Sequence, residues 1–158
     1  MKKQEKTNVM RLLDQQKISY TAHFYGETDA VSGVEVAQTL GEPVEQVFKT
    51  LVTVGKSGQH FVFVIPAAKE LDLRKAAAAA GEKSIEMIKS KELLPLTGYI
   101  HGGCSPIGMK KRFPTWVDSS ARSLVRFFVS GGRIGCQVEL APADLERMIP
   151  LEYAELTA

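Results

Sequence analysis

The stretch "VEQVFKTLVTV", residues 44–54, sets a single lysine, Lys49, inside an apolar run with the composition of a buried strand. Alternation puts Lys49 on one strand face with Val47, Leu51 and Thr53, and Phe48, Thr50, Val52 and Val54 on the other. Both faces are apolar, as in a strand covered on both sides. An ammonium held there at a cleft could donate to carbonyl or phosphate oxygens. A stem packed on the surface with its charge in water is the plainer reading, and this window alone favours it. A second candidate is "HGGCSPIGMKKR", residues 101–112. Gly102, Gly103 and Gly108 allow close backbone approach to a ligand, and their N–H groups could bind an oxyanion. Lys110, Lys111 and Arg112 follow at once and suit phosphate contacts. The loop matches neither a Walker A nor a dinucleotide fingerprint.

Other reactive side chains offer less. Ser130 leads the tight turn of "FFVSGGR", but no GxSxG context supplies a hydrolase nucleophile, and turn serines usually bond their own backbone. Cys104 and Cys136 lack metal-ligand spacing and read as buried packing residues. His23 and His60 fall in strand-like runs, where surface or satisfied positions are expected, and His101 stands apart. The sequence displays no acid–base dyad, triad or metal site, and no cofactor is expected.

The elements that must position these residues can be read from pattern. Thr7 is placed to cap a helix whose Val9, Met10, Leu12 and Leu13 share a face. "ISYTAHFY" alternates as a strand, and "SGVEVAQTLG" carries Ser32 and Glu35 in capping-box spacing with Gly41 as its stop. Pro43 starts a helical turn before strand 47–54, and "GKSGQ" turns that strand into "HFVFVIP" as a hairpin. "LDLRKAAAAAG" predicts a helix ended by Gly81. Residues 84–96 suggest a strand-like start and a short helix before Pro95, and the glycine-rich segment after them is irregular. "TWVD" and "LVRFFVS" read as strands. The turn at Gly131-Gly132 makes a second hairpin, and "APADLERMI" is a closing capped helix. The expected fold is α/β in the loose, α+β sense: a curled mixed sheet flanked by helices, in one domain spanning 1–158.

Composition narrows the class. The chain has 158 residues, 44% hydrophobic and 24% charged, with net charge +2 and a pI near 8.5. That is ordinary globular composition, with a mild basic excess below that of typical DNA-binding domains. Two free thiols suit a reducing cytosol. No run approaches the roughly 18 apolar residues of a membrane span, and the charged N-terminal stretch leaves no room for a signal-peptide core. A cytoplasmic protein is expected, acting on neither DNA nor membranes.

Four segments, "VFKTLV" (47–52), "GYIHGGCSPIGMKKR" (98–112), "PTWVDSS" (114–120) and "VSGGRIGCQVEL" (129–140), occur in the order seen in the YbaK/EbsC family. That family comprises free-standing aminoacyl-tRNA deacylases similar to the editing domain of bacterial prolyl-tRNA synthetase, and the resemblance covers roughly residues 7–153. It outweighs the surface reading of Lys49 and implies a YbaK-like editing fold. It matches the family's essential lysine to Lys49, followed by Thr50, its loop glycine to Gly102, beside Gly103, and its turn serine to Ser130. A pocket tyrosine matches Tyr25. Cysteine-editing members often carry an aromatic residue where this chain has Ser32 and an acid where it has Gln137, both expected to line the pocket. Ile134 replaces a second basic residue common after the turn.

The implied activity is trans-editing of Cys-tRNA(Pro), and of Cys-tRNA(Cys) as well, by cyclisation of the substrate's own thiol. Such a reaction explains the missing dyad, because it needs positioning and oxyanion donors rather than a protein nucleophile. The implied partners are the aminoacylated tRNA acceptor end, gripped by Lys110, Lys111 and Arg112, and prolyl-tRNA synthetase. Deacylation of alanine or another small amino acid, and a non-catalytic module binding a tRNA end or the synthetase, remain the alternatives.

Overall fold

The computed structural model describes residues 6–25 and 33–158. Helix α1, Asn8–Gln15, begins where expected: the Thr7 hydroxyl accepts from Met10 N–H at 3.3 Å, and Val9, Met10 and Leu13 are buried. Strand β1 is Thr21–Phe24 and helix α2 is Gly33–Leu40. Ser32, the expected cap of α2, lies outside the described residues. After a short 3-10 turn at Val44–Gln46 come β2, Phe48–Gly55, and β3, His60–Pro66, joined by the predicted hairpin. Helix α3, Leu73–Ala80, is capped by Asp72, which accepts from the N–H groups of Arg74 and Lys75, and ends at Gly81 in the left-handed region. Strand β4, Ile85–Met87, and helix α4, Ser90–Thr97, fill the stretch that was ambiguous in sequence.

Helix α4 differs from expectation in running through Pro95. The proline removes one donor, but the helix needs few more. Thr97 Oγ1 donates to Leu93 O at 2.7 Å and Gly98 N–H to Leu94 O at 2.9 Å, so these last-turn carbonyls stay satisfied. The remaining elements are β5, Thr115–Asp118; β6, Phe127–Ser130; β7, Cys136–Leu140; α5, Pro142–Met148; and β8, Glu152–Ala154. Helix α5 has no side-chain cap; Pro142 in its first turn, with φ already helical, starts it instead. Strand β8 was not foreseen, because three residues are too few to display a period.

The strands form two sheets. A five-stranded mixed sheet runs β4-β2-β3-β5-β8, and a three-stranded antiparallel sheet runs β1-β7-β6. The sequence suggested one curled sheet; here two meet at an isolated parallel bridge, Val47↔Phe128. The main core fills the space between them. Phe48, Val52, Val62, Val64 and Val117 of the larger sheet pack with Phe127, Val129, Cys136, Val138 and Leu140 of the smaller, and α1 and α5 close the ends with Leu13 and Leu145. A second cluster sets Phe61, Phe63 and Ile65 under Ala76 and Ala77 of α3, whose alanines permit close helix–sheet approach. Strand β2 is therefore covered on both sides, as its composition required. No helix among the described residues is long and apolar enough to cross a membrane.

Asp118 ties the last segment to this framework. Its Oδ1 accepts from Leu156 N–H at 2.9 Å, and its Oδ2 from the Ser120 hydroxyl at 2.6 Å and the Ser120 N–H at 3.2 Å. Asp118→Ala would orphan a buried N–H and remove a cap, for a predicted loss of about 2–4 kcal/mol. The midpoint of urea unfolding measures it, and a change below about 0.5 kcal/mol would contradict this account.

Candidate active site

The isolated bridge decides where Lys49 points. Val47 and Phe128 lie in one apolar cluster with Ala37 of α2 and Ala67, on the side away from the main core. Two residues beyond Val47 along β2 comes Lys49; two beyond Phe128 along β6 comes Ser130. Because strand side chains alternate, both belong to the α2 side of their strands. Pairing across the small sheet extends the row: Ser130 opposes Gln137 on β7, and Gln137 opposes His23 on β1. Tyr25 is buried against Val36 of α2, on the same side, and its N–H donates to Gly135 O at 3.0 Å. One face thus gathers Lys49, Ser130, Gln137, His23 and Tyr25, four of which the sequence nominated.

Their hydrogen bonding is incomplete. Gln137 is only 6% exposed, yet its Oε1 has no hydrogen-bond partner among the described residues. An unpaired buried amide oxygen costs about 1–3 kcal/mol, which a ligand donor would recover. Lys49 is half-buried, and no ion pair or hydrogen bond to its ammonium is found among the described residues. Ser130 Oγ accepts from Gly132 N–H at 3.2 Å, the local turn bond expected of such a serine. Its own proton is free to be donated elsewhere.

The glycine loop meets this row at the turn after Ser130. Gly102 has φ +88°, and Gly103 sits so near the turn that a Cβ there would fall 2.9 Å from Arg133 Cα. Gly103 N–H donates to Ile100 O at 2.9 Å and is therefore already engaged, so the expectation that it serves as a free anion donor is corrected. Its glycine is needed for backbone packing. Thr50 stands apart as well: it pairs with Val64 of the main core, on the strand face opposite Lys49, and its Oγ1 is buried without a partner among the described residues. Ser32 lies outside the described residues.

Lys110, Lys111 and Arg112 are not part of the row. Lys110 N–H is bonded to Thr97 O at 2.9 Å, and all three side chains are exposed. Lys111 and Arg112 border a separate cleft of about 610 Å³, with Leu12, Phe113, Arg147 and Met148 among its lining, that includes none of Lys49, Ser130 or Gln137.

One member of the row escaped sequence reasoning. His23 Nε2 lies 2.9 Å from Glu139 Oε1, and its ring is 5.2 Å from that of Phe128. Arg126 holds the same carboxylate from its other side, Nε to Oε2 at 3.5 Å, and donates from Nη2 to Glu139 O at 2.9 Å. A histidine–carboxylate pair is present after all, built from residues 116 positions apart. The only sequence signal was that each occupies an alternate position in its own strand.

Known proteins resemble this chain in sequence and in fold. Residues 27–148 match the family model described as the aminoacyl-tRNA editing domain. The chain is 46% identical over 157 residues to EbsC of Enterococcus faecalis, named a candidate Cys-tRNA(Pro)/Cys-tRNA(Cys) deacylase, covering 99% of this chain and 96% of that protein. It is 33% identical over 77 residues to proline–tRNA ligase of Thermosipho africanus, covering 49% of this chain but 14% of the ligase. A crystal structure described as a candidate trans-editing enzyme for prolyl-tRNA synthetase superposes with a TM-score of 0.82 at 23% identity, over 98% of this chain and 99% of that one. The two-sheet fold and the span of these matches lead to one conclusion: the chain belongs to the aminoacyl-tRNA editing domain family.

Proposed function

We propose that this protein is a free-standing deacylase that removes cysteine from Cys-tRNA(Pro), and from Cys-tRNA(Cys), by letting the substrate thiol attack its own ester. The observation that carries the reading is the row of Lys49, Ser130 and the unpartnered Gln137 Oε1 on one covered face. Seated over this row, the aminoacyl ester would meet a cation and a hydroxyl donor beside its carbonyl, and a buried acceptor for a substrate N–H. As the thiol adds, negative charge grows on the carbonyl oxygen, and Lys49 and Ser130 stabilise it. The tetrahedral intermediate then expels the tRNA 3′-oxygen and leaves a cyclic cysteine thiolactone. Prolyl-tRNA synthetase, which makes the mischarged substrate, is the protein partner this reading suggests, and the cytoplasm its place.

The chain's own thiols do not suit the nucleophile's part. Burial pushes Cys104 up to about 12 and Cys136 up to about 11, so both remain protonated near neutral pH. Both are packed in the main core. That leaves the substrate thiol or water as attacking group. Alanine or another small amino acid as the cargo, or a module that binds a tRNA end without turnover, are the competing outcomes of the tests below.

Lys49→Ala should reduce single-turnover deacylation by about 100- to 1,000-fold with an unchanged circular dichroism spectrum. Lys49→Arg should not restore it, since a planar fork does not replace a compact ammonium. Near wild-type turnover by Lys49→Ala would remove its catalytic role.

A Cys104→Val, Cys136→Val double variant should keep its rate within about three-fold if folded, because neither thiol is ionised at working pH. Loss of activity, together with a trapped aminoacyl-enzyme thioester in the wild-type protein, would contradict this.

Parallel assays with Cys-tRNA(Pro), Ser-tRNA(Pro), Ala-tRNA(Pro) and Pro-tRNA(Pro) test the substrate and the chemistry together. Cysteine should leave much faster than serine, its near-isostere with a poorer nucleophile, because a pocket that only hydrolyses separates such pairs weakly. Thiolactone captured by hydroxylamine is the expected first product. Equal rates for cysteine and serine would indicate hydrolysis by water, fastest loss of alanine would move the specificity, and no ester loss at all would favour the binding module.

A further inference from the structure

We infer that His23, oriented by Glu139, is the proton-transfer group of the deacylation reaction; this rests on the deacylase reading above. The histidine stands in the same cross-strand row as Ser130 and Gln137, being the Cα partner of Gln137 on β1. Its environment is more organised than a solubilising surface residue requires. Glu139 accepts at Nε2 from one side, Phe128 packs against the ring, and Arg126 fixes Glu139 in turn. A carboxylate can only accept, so Nε2 carries the hydrogen, and in the neutral ring Nδ1 then has the free lone pair. The side chains of His23 and Glu139 are 24% and 22% exposed, sheltered but open to a ligand.

Among the described residues, Glu139 on β7 and Arg126 ahead of β6 contact the pair directly, and Lys49 and Tyr25 are further titratable groups on this face. From α2 the buried residues Val36 and Ala37 face it, and neither titrates. Across the row stand, in order, Lys49, Ser130, Gln137 and His23. The two groups divide the work: the ammonium at the carbonyl oxygen, the imidazole at the proton in flight.

The step balances without a further reactant. Nδ1 of His23 takes the proton from the substrate thiol as sulfur bonds to the ester carbon. When the carbon–oxygen bond to the ribose 3′-oxygen breaks, the imidazolium returns that proton to the departing oxygen. Thiolactone and deacylated tRNA result, and the histidine ends neutral. Glu139 takes no proton; it holds the ring and stabilises the imidazolium.

The test is single-turnover deacylation of Cys-tRNA(Pro) across a pH series, by wild type, His23→Ala, His23→Gln and Glu139→Gln. Both His23 variants should lose about 100-fold in rate at saturating substrate, with KM little changed, and the acid limb of the wild-type pH profile should disappear. Added imidazole should recover part of the rate of His23→Ala and none of the rate of Lys49→Ala. Glu139→Gln should lose less, and its acid limb should move. His23→Gln can still donate to Glu139, so it reports on chemistry if the alanine variant fails to fold. A rate within about three-fold of wild type for either folded His23 variant, or a loss with the acid limb intact, overturns the proposal while leaving the deacylase reading standing. A wild-type protein that clears no aminoacyl ester overturns both.

Discussion

The parallel bridge between Val47 and Phe128 is the contact on which the candidate site depends. It is the junction of two sheets that otherwise communicate through side chains. It is held by burial rather than by an extended ladder: Val47 is 1% exposed and Phe128 0%, and Ala67 N–H donates to Val47 O at 2.8 Å. Two such side chains contribute on the order of 1.5–3 kcal/mol each when fully buried, enough to fix the angle at which β2 and β6 leave the junction. Were the junction displaced by one residue, the faces would exchange, and Lys49 would turn toward the hydrophobic core.

The small sheet serves two purposes because its faces differ. Toward the core it presents Phe127, Val129, Cys136, Val138 and Leu140; away from it, Phe128, Ser130, Gln137, Glu139 and His23. The core face makes the strand positions rigid, and the rigid strands hold the polar groups at fixed separations. No special loop is needed to gather these polar groups, because the alternation that builds the core also sets them on one face. The cysteines belong to the core side, and a Cβ on Gly131 would collide with the Cys136 sulfur. Cys136 therefore acts as packing for the turn behind Ser130.

Close backbone approach explains the glycine at position 103. Gly103 spends its N–H on Ile100 and its missing side chain on proximity to Arg133 and Ile134. The loop braces the turn that carries Ser130. Lys111 and Arg112, which follow it, lie along a different cleft, which separates any grip on an anionic partner from the row that would handle the ester. The neutral amide of Gln137 presents an uncharged oxygen acceptor at that position, with no partner among the described residues.

Much was legible from sequence because it depends on neighbours along the chain. The Thr7 cap, the alanine helix closed by Gly81, both hairpins and the two-sided burial of β2 follow from spacing, turn residues and composition. The family, too, was legible, since its motifs are contiguous segments that include Lys49, Gly102 and Ser130. Pairing across distant segments was not. That Thr50 lies on the strand face opposite Lys49, that Gly103 N–H is engaged by Ile100 O, and that the described strands fall into two sheets depend on which strands adjoin. The His23–Glu139 pair shows the physical reason most directly. Neither residue's local window differs from that of a surface strand, and only antiparallel pairing of β1 with β7 brings an imidazole within hydrogen-bond reach of a carboxylate 116 residues away.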